Sequence, residues 1–220
     1  MFADFDPNPT VFVVDDDDEM RASLETLLQV LGFAVRTFPS GASFLRFYRA
    51  GMTGCLVLDI RMPRQSGLEL YEQLLKEGKR LPVIFITAHA DVPTAVAAMK
   101  TGALEFLEKP FDRHNLLERV HAAIRLDGEW RRRDAEFAAI EERIRRLNER
   151  DRETLELVLA GESNKGMAAK LFITERAVEM RRSAIMKKLE VQSLAQLLDL
   201  AVTHRILDEL RQAAQQLPAR

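Results

Sequence analysis

The stretch CLVLDIRMPRQSG, residues 55–67, joins a buried-strand pattern to a turn. Its first four residues are apolar, which is typical of a strand in a parallel sheet that is covered on both faces. Asp59 follows this strand directly, and Pro63 and Gly67 mark the loop after it. Ligands of open α/β sheets bind at the carboxyl ends of the strands, so the position of Asp59 predicts a functional site.

The remaining strand-like runs are short and lie on both sides of this one. They are Val11 to Val14, Ala34 to Phe38, Val83 to Ile86 and Leu104 to Leu107. Amphipathic stretches between them predict helices, roughly Met20 to Leu31, Ala42 to Arg49, Leu68 to Glu77, Thr94 to Lys100 and Asn115 to Arg125. Strands that alternate with helices predict an α/β domain built of βαβ units, with a sheet of five parallel strands.

Four more residues with useful chemistry follow the other strands. Asp15 and Asp16 come after the first strand, Thr87 after the fourth and Lys109 after the last. Carboxylates are hard oxygen ligands that suit Mg²⁺, and such a cation would neutralise a phosphoryl group attacked by Asp59. Thr87 would hydrogen-bond a phosphoryl oxygen, and Lys109 would offset its charge. The group therefore predicts that Asp59 accepts a phosphoryl group.

Each part of this group has an ordinary explanation when it is taken alone. Acidic runs such as Asp15 to Glu19 are common in solvated loops and at helix N-termini, where carboxylates favour the helix dipole. A single Asp after a strand is typical of a turn. The order of the residues and their shared strand-end positions favour phosphoryl transfer over these separate explanations.

Residues 10 to 125 resemble the receiver domain of bacterial two-component response regulators, which implies a doubly wound, flavodoxin-like α/β fold with five parallel strands. The resemblance rests on the acidic pair after the first strand, on LVLDIRMPRQSGLEL around Asp59, and on FITAHADVPTAVAAMKTGALEFLEKPF after it. The second stretch is similar to the FixJ branch. The resemblance implies that a sensor histidine kinase phosphorylates Asp59, and that Asp16, Asp59 and the backbone carbonyl of Arg61 hold Mg²⁺ with the assistance of Asp15.

The same resemblance implies further roles. Thr87 and Phe106 would switch the domain when the phosphoryl group arrives, although a Phe in a strand is ordinarily a core residue. The side chains of Arg61 and His89 would control the access of water to the acyl phosphate. The peptide bond between Lys109 and Pro110 is typically cis in the family.

The segment from Arg125 to Arg146 has another character. It holds seven Arg and six acidic residues with no Pro, which predicts a helical linker. Trp130, Phe137 and Ile144 recur at a spacing of seven residues, as in a coiled coil. Packing of this apolar stripe against one of the domains is the alternative.

The chain after Leu147 contains no strand pattern and predicts short helices. Asn164 to Leu171 and Glu175 to Leu189 have helix-turn-helix spacing, and Thr174 is a good N-cap for the second helix. Residues 163–189 hold seven basic against two acidic side chains, which is typical of a phosphate-binding surface. A solvated basic helix is the alternative.

LNERDRETLELVLAGESNKGMAAKLFITERAVEMRRSAIMKKLEVQSLAQLL resembles the LuxR/NarL-type DNA-binding domain. The resemblance implies that the helix beginning at Glu175 enters the major groove of double-stranded promoter DNA. Glu179, Met180 and Ser183 would contact the base edges. The other residues of the DNA-facing set, mostly phosphate contacts, would be Lys165, Thr174, Arg176, Arg182, Lys187 and Lys188. Gly166, Phe172 and Arg181 depart from the family pattern.

These observations predict a cytoplasmic, phosphorylation-switched transcription regulator that is not an enzyme. We expect a receiver domain over residues 1–124, a helical linker over 125–146, and a small all-α helix-turn-helix domain with a helical tail over 147–220. Phosphorylation would promote a homodimer. The sequence has no apolar run long enough for a membrane span and no signal-peptide pattern, and its single cysteine, Cys55, cannot form an internal disulfide.

Two other functions fit parts of the pattern. A protein-interaction switch whose helix-turn-helix no longer reads DNA would explain Gly166, Phe172 and Arg181. An aspartyl-phosphate hydrolase acting on small molecules is disfavoured, because the sequence supplies no second acid-base group beside Asp59.

Overall fold

The computed structural model describes residues 8–49, 51–88 and 104–216, with side chains to residue 209. The chain forms two compact units, the first ending at Arg131 and the second beginning at Arg132. Each unit has its own apolar core. Among the described residues, no helix is long and apolar enough to span a membrane.

The first unit is a parallel sheet with helices on its faces. Its elements in chain order are β1 Thr10–Val14, α1 Asp18–Val30, β2 Ala34–Phe38, α2 Gly41–Phe47, β3 Gly54–Asp59, α3 Gly67–Lys76, β4 Val83–Thr87, β5 Glu105–Glu108 and the N-terminal part of α4 Arg113–Arg145. The strand order is β2-β1-β3-β4-β5, and all pairs are parallel. The prediction of a doubly wound sheet of five parallel strands is therefore confirmed.

Alternating side chains of the strands build two apolar layers. Phe12 and Leu56 point into the layer under α2 and α3, whereas Val13 and Val57 point into the layer under α1 and α4. Successive residues of a strand face opposite sides of the sheet, so both faces are covered. Burial on both faces explains why these strands read as continuous apolar runs.

The second unit consists of helices. After the C-terminal part of α4 come α5 Glu149–Leu159, α6 Asn164–Leu171, α7 Glu175–Lys188 and α8 Leu194–Gln216. Met167, Val178, Ile185 and Leu197 are central to their core. Asn148 and Asp151 form a capping box at the start of α5, and the Thr174 hydroxyl accepts the Ala177 N–H at the start of α7. α6, its turn and α7 form the helix-turn-helix.

One expected helix is longer than predicted, and another falls on residues that the structure does not describe. The helix expected over Asn115 to Arg125 continues to Arg145, because the charged sequence after it contains no proline and its one glycine, Gly128, does not end the helix. The helix expected over Thr94 to Lys100 lies outside the described residues.

The apolar stripe of α4 packs inside the units. The Trp130 ring lies 4.5 Å from the guanidinium carbon of Arg80 in the first unit. Phe137 stacks on His204, and Ile144 belongs to the core of the second unit. Packing against the domains, one of the two predicted uses of the stripe, thus occurs at each of these positions.

Candidate functional site

The carboxyl edge of the sheet carries the predicted phosphoryl-transfer group. Asp59 and Thr87 are the last residues of β3 and β4, while Asp15 and Lys109 directly follow β1 and β5. Parallel pairing places Val14 beside Leu58 and Thr87 beside Glu108, so the strand ends lie in line. Residues from four distant parts of the sequence are thereby brought to one edge.

Lys109 joins the two buried carboxylates of this edge. Its Nζ donates to Asp15 Oδ2 at 2.7 Å and to Asp59 Oδ1 at 2.8 Å. Only 1% of the Asp15 side chain and 7% of the Asp59 side chain are exposed. Buried carboxylates this close to one another would repel without a cation, and the ammonium group offsets part of that repulsion.

Burial and hydrogen bonding shift the pKa values of Asp59 and Lys109 in opposite directions. Burial raises the pKa of Asp59 above its ordinary value, and hydrogen bonds from Lys109 and the Arg61 N–H counter this only in part. Burial alone would lower the pKa of Lys109, but its hydrogen bonds with Asp15 and Asp59 outweigh this and raise it. Lys109 thus keeps its charge, and the Asp59 carboxylate is less well stabilised than one in water.

The acidic residues that follow β1 have different structural roles. Asp15 Oδ1 accepts the Asp17 N–H at 2.9 Å, which turns the chain into α1. Asp17 is the N-cap of that helix and accepts the N–H groups of Glu19 and Met20. Asp16 is exposed to solvent, and the structure does not bring its side chain into the buried group. The ordinary role of acidic residues at a helix N-terminus therefore applies to Asp17, but not to Asp15.

The loop after Asp59 is folded closely against the strand end. The Gly67 N–H donates to Ile60 O at 2.9 Å, and a Cβ added to Gly67 would lie 2.2 Å from Asp59 O. Only glycine fits this approach. The Arg61 side chain is exposed, and the Lys109–Pro110 peptide bond is cis, as the resemblance implied.

The two predicted switch residues lie on neighbouring strands. Thr87 is fully buried at the end of β4, and the Lys109 N–H donates to its carbonyl at 2.7 Å. Phe106 in β5 is half-buried against the layer that contains Phe85. His89, predicted to control water access, lies outside the described residues.

Most of the predicted DNA-contacting residues lie on an exposed face of the helix-turn-helix. Met167 of α6 and Val178 and Ile185 of α7 turn inward and hold the two helices together. The exposed members of the predicted set are Lys165, Thr174, Arg176, Glu179, Met180, Ser183 and Lys187. The face combines three positive charges with one acidic residue, two polar residues and one methionine.

Two basic residues of the set are engaged inside the unit. The Arg182 guanidinium donates to Asn164 Oδ1 at 2.7 Å, which ties α7 to the start of α6. Lys188 donates to Asp151, whose side chain is 9% exposed and also caps α5. These cations position α7, a structural use that the sequence argument did not identify.

A buried ion pair in α4 was also missed by the sequence argument. Asp127 Oδ2 accepts the Gly54 N–H at 2.9 Å and Arg131 Nε at 2.8 Å. Arg131 further donates to the carbonyls of Gly51 and Met52. The available signal was the Asp and Arg spacing of four, but that spacing is also typical of exposed helix faces.

Comparison with known proteins agrees with this geometry. The model of the response regulator receiver domain matches residues 11–121, and that of the bacterial regulatory proteins of the luxR family matches residues 145–201. The transcriptional regulatory protein FixJ of Azorhizobium caulinodans is 42% identical over 192 residues, which cover 87% of this chain and 91% of that protein. The response regulator protein TodT of Pseudomonas putida is 37% identical over 200 residues, covering 91% of this chain and 87% of that protein.

Solved structures extend the likeness to nearly the whole chain. The response regulator StyR has a TM-score of 0.82 at 44% identity, covering 89% of this chain and 99% of that one. Full-length FixJ from B. japonicum has a TM-score of 0.53 at 36% identity, covering 90% of this chain and 98% of that one. The chain therefore belongs to the two-component response regulators that join a receiver domain to a LuxR-type DNA-binding domain and act as transcription regulators.

Proposed function

We propose that a sensor histidine kinase phosphorylates Asp59 of this regulator and that the phosphorylated chain binds promoter DNA as a homodimer. The observation that carries the proposal is the Lys109 ammonium between the buried carboxylates of Asp15 and Asp59, beside Thr87. A bound phosphoryl group would meet a cation and a hydroxyl at this position. We also propose that the chain turns over no separate substrate.

Mg²⁺ fits the donors at this edge. Asp15 and Asp59 both lie within hydrogen-bond distance of Lys109 Nζ, so two carboxylates converge at this edge. Mg²⁺ is commonly held by one or two carboxylates and completes its shell with water and phosphate. Asp16, Asp59 and the Arg61 carbonyl would hold the ion at the solvent side of the edge, with the assistance of Asp15. When bound, it would neutralise charge on the phosphoryl oxygens.

The residues of the chain supply the rest of the chemistry. A carboxylate oxygen of Asp59 would form a bond to phosphorus while the bond from phosphorus to the imidazole nitrogen of the kinase breaks. Lys109 would offset the added negative charge, and the Thr87 hydroxyl would donate to a phosphoryl oxygen. Because Asp59 is buried, few water molecules reach the acyl phosphate. Thr87 and Phe106 would carry the change to the domain surface.

The helix-turn-helix geometry supports DNA binding over an interaction switch that no longer reads DNA. Gly166 does not break α6, and Phe172 adopts the left-handed conformation that the turn requires. We propose that α7 lies in the major groove, where Glu179, Met180 and Ser183 reach base edges. The phosphate contacts would come from the exposed cations Lys165, Arg176 and Lys187, and from Arg182 and Lys188, which also bond within the unit.

The proposed domain boundaries follow from this assignment. The receiver would span residues 1–124, the helical linker 125–146 and the DNA-binding domain with its tail 147–220. Asp127 and Arg131 attach the start of that linker to the first unit. A regulator that binds chromosomal promoters acts in the bacterial cytoplasm, which is the location we propose.

Mass spectrometry tests the phosphoacceptor. After treatment with acetyl phosphate and Mg²⁺, the wild-type chain should gain one phosphoryl group, and replacing Mg²⁺ by EDTA should prevent the gain. Asp59→Asn should gain none under either condition. Equal incorporation by the wild type and Asp59→Asn would place the acceptor elsewhere.

A further inference from the structure

Phe172 has the most exposed large apolar side chain among the residues that the structure describes. Its side chain and backbone together are 95% exposed, compared with 68% for Met180 on the neighbouring helix. Phe172 stands at the C-cap of α6, two residues before Thr174, the N-cap of α7. An aromatic ring in this place contributes almost nothing to the packing of its own domain.

The backbone of Phe172 is also held in an unfavourable conformation. Its φ of 53° and ψ of 44° lie in the left-handed region, where a residue with a Cβ is strained and glycine or asparagine is favoured. The N–H groups of Phe172 and Ile173 both donate to Ala168 O, and Ile173 packs against the core. The turn therefore fixes the ring beside the start of α7. Strain of this kind tends to occur at functional positions.

The ring continues the face that the proposed function assigns to DNA, and the inference rests on that function. The N-terminal part of a recognition helix lies closest to the base edges, so the turn before it lies at the wall of the major groove. The basic residue nearest in sequence, Lys170, is paired with Glu162. An apolar contact thus fits the surroundings of Phe172 better than a phosphate contact.

We infer that Phe172 is a specificity-determining residue that contacts the methyl group of a thymine at the edge of each half-site. The thymine methyl is the one apolar group that the bases present in the major groove, and phenylalanine is among the side chains that pack on it. The contact would add an apolar preference to a face whose other residues are mostly polar or charged. It would also account for an exposed aromatic residue in a position that favours glycine.

The test uses the full chain, treated with acetyl phosphate, and a duplex selected from a randomised pool. Replacing thymines by uracils one at a time removes single methyl groups. At one position in each half-site, the wild type should lose about fourfold in affinity, the value of one buried methyl group. Phe172→Gly should bind the thymine duplex more weakly and should show no loss on that replacement.

Two controls keep folding apart from recognition. Phe172→Gly relieves the left-handed strain, so its Tm should equal or exceed that of the wild type. Its salt dependence should match that of the wild type, because no cation is removed. Val30→Ala removes an exposed apolar side chain from the first unit and should leave binding unchanged.

The outcomes separate the inference from the proposed function. Equal affinity and equal uracil sensitivity in the wild type and Phe172→Gly would overturn the inference and assign the ring to a protein partner. If the phosphorylated wild type enriches no duplex at all, the proposed DNA-binding function fails, and the inference fails with it.

Discussion

The phosphoacceptor edge and the DNA-facing helix use their charges in opposite ways. At the edge, the partly buried Lys109 contacts two buried carboxylates. On α7, the charged side chains of Arg176 and Lys187 are exposed to solvent. Buried charges depend on each other, whereas exposed charges act almost independently. A substitution should therefore have a large effect at the edge and a graded effect on the helix.

Loss of Lys109 should produce the largest effect. Lys109→Ala leaves Asp15 and Asp59 buried without their cation, and we expect unfolding of the first unit to become easier by about 3 kcal/mol. Urea unfolding measures this. Lys76→Ala removes an exposed cation from α3 and should stay within about 0.5 kcal/mol of the wild type. Similar losses of unfolding free energy in the two variants would contradict the expected difference between buried and exposed charges.

Loss of Asp127 should lower stability strongly, as loss of a buried charge at the sheet edge does, although Asp127 lies on a helix. Asp127→Ala leaves the Gly54 N–H and the Arg131 guanidinium without their acceptor, which should cost about 2 kcal/mol in the first unit. Asp134→Ala, an exposed carboxylate of the same helix, is the matched control and should change little. Urea unfolding of both variants gives the comparison. A loss as small as that of Asp134→Ala would mean that the ion pair is not formed in solution.

The neighbouring residues Lys187 and Lys188 should have different roles: Lys188 bonds within its unit, whereas Lys187 is exposed. Lys188→Ala breaks the contact with Asp151 and should lower the stability of the second unit by about 1 kcal/mol. Lys187→Ala should leave stability unchanged, weaken binding to all DNA sequences about equally, and reduce the salt slope by about one unit. Thermal unfolding and salt titrations of DNA binding separate the effects. An unchanged salt slope for Lys187→Ala would remove it from the DNA interface.

The smallest effect is expected at the solvent side of the edge. The exposed Arg61 side chain would hinder water near the acyl phosphate, so Arg61→Ala should shorten the lifetime of phosphorylated Asp59 severalfold without changing stability. Loss of the phosphoryl group over time, followed by mass spectrometry, measures this. Arg64→Ala, in the same loop, should keep the wild-type lifetime. Identical lifetimes in all three proteins would exclude Arg61 from water control.

The site at the sheet edge was easier to predict from the sequence than the contacts between helices, for a physical reason. In a parallel sheet the strand ends are fixed by the apolar runs, so Asp15, Asp59, Thr87 and Lys109 could be placed together from their positions alone. The sheet topology and the helix-turn-helix were likewise predictable from periodicity and caps. The sequence did not show which carboxylate of the acidic run is buried: Asp15 is buried, whereas Asp16 is exposed.

Most of the missed contacts join residues that are far apart in sequence. Asp127 with Gly54, and Lys188 with Asp151, depend on how helices dock, which no local pattern encodes. The exposure of the Phe172 ring was hidden in the same way, because a left-handed turn residue can also pack inward. Composition correctly indicated a basic face, but not which of its cations serve the fold.

The central claim is that the phosphoryl group on Asp59 controls the DNA-facing helix. The most direct test is a titration of a selected duplex with the full chain, with and without acetyl phosphate and Mg²⁺, for the wild type and Asp59→Asn. We expect acetyl phosphate to tighten binding of the wild type and to leave Asp59→Asn unchanged, with the same sequence preference throughout. Equal affinities for treated and untreated wild type, or equal tightening in Asp59→Asn, would contradict the account.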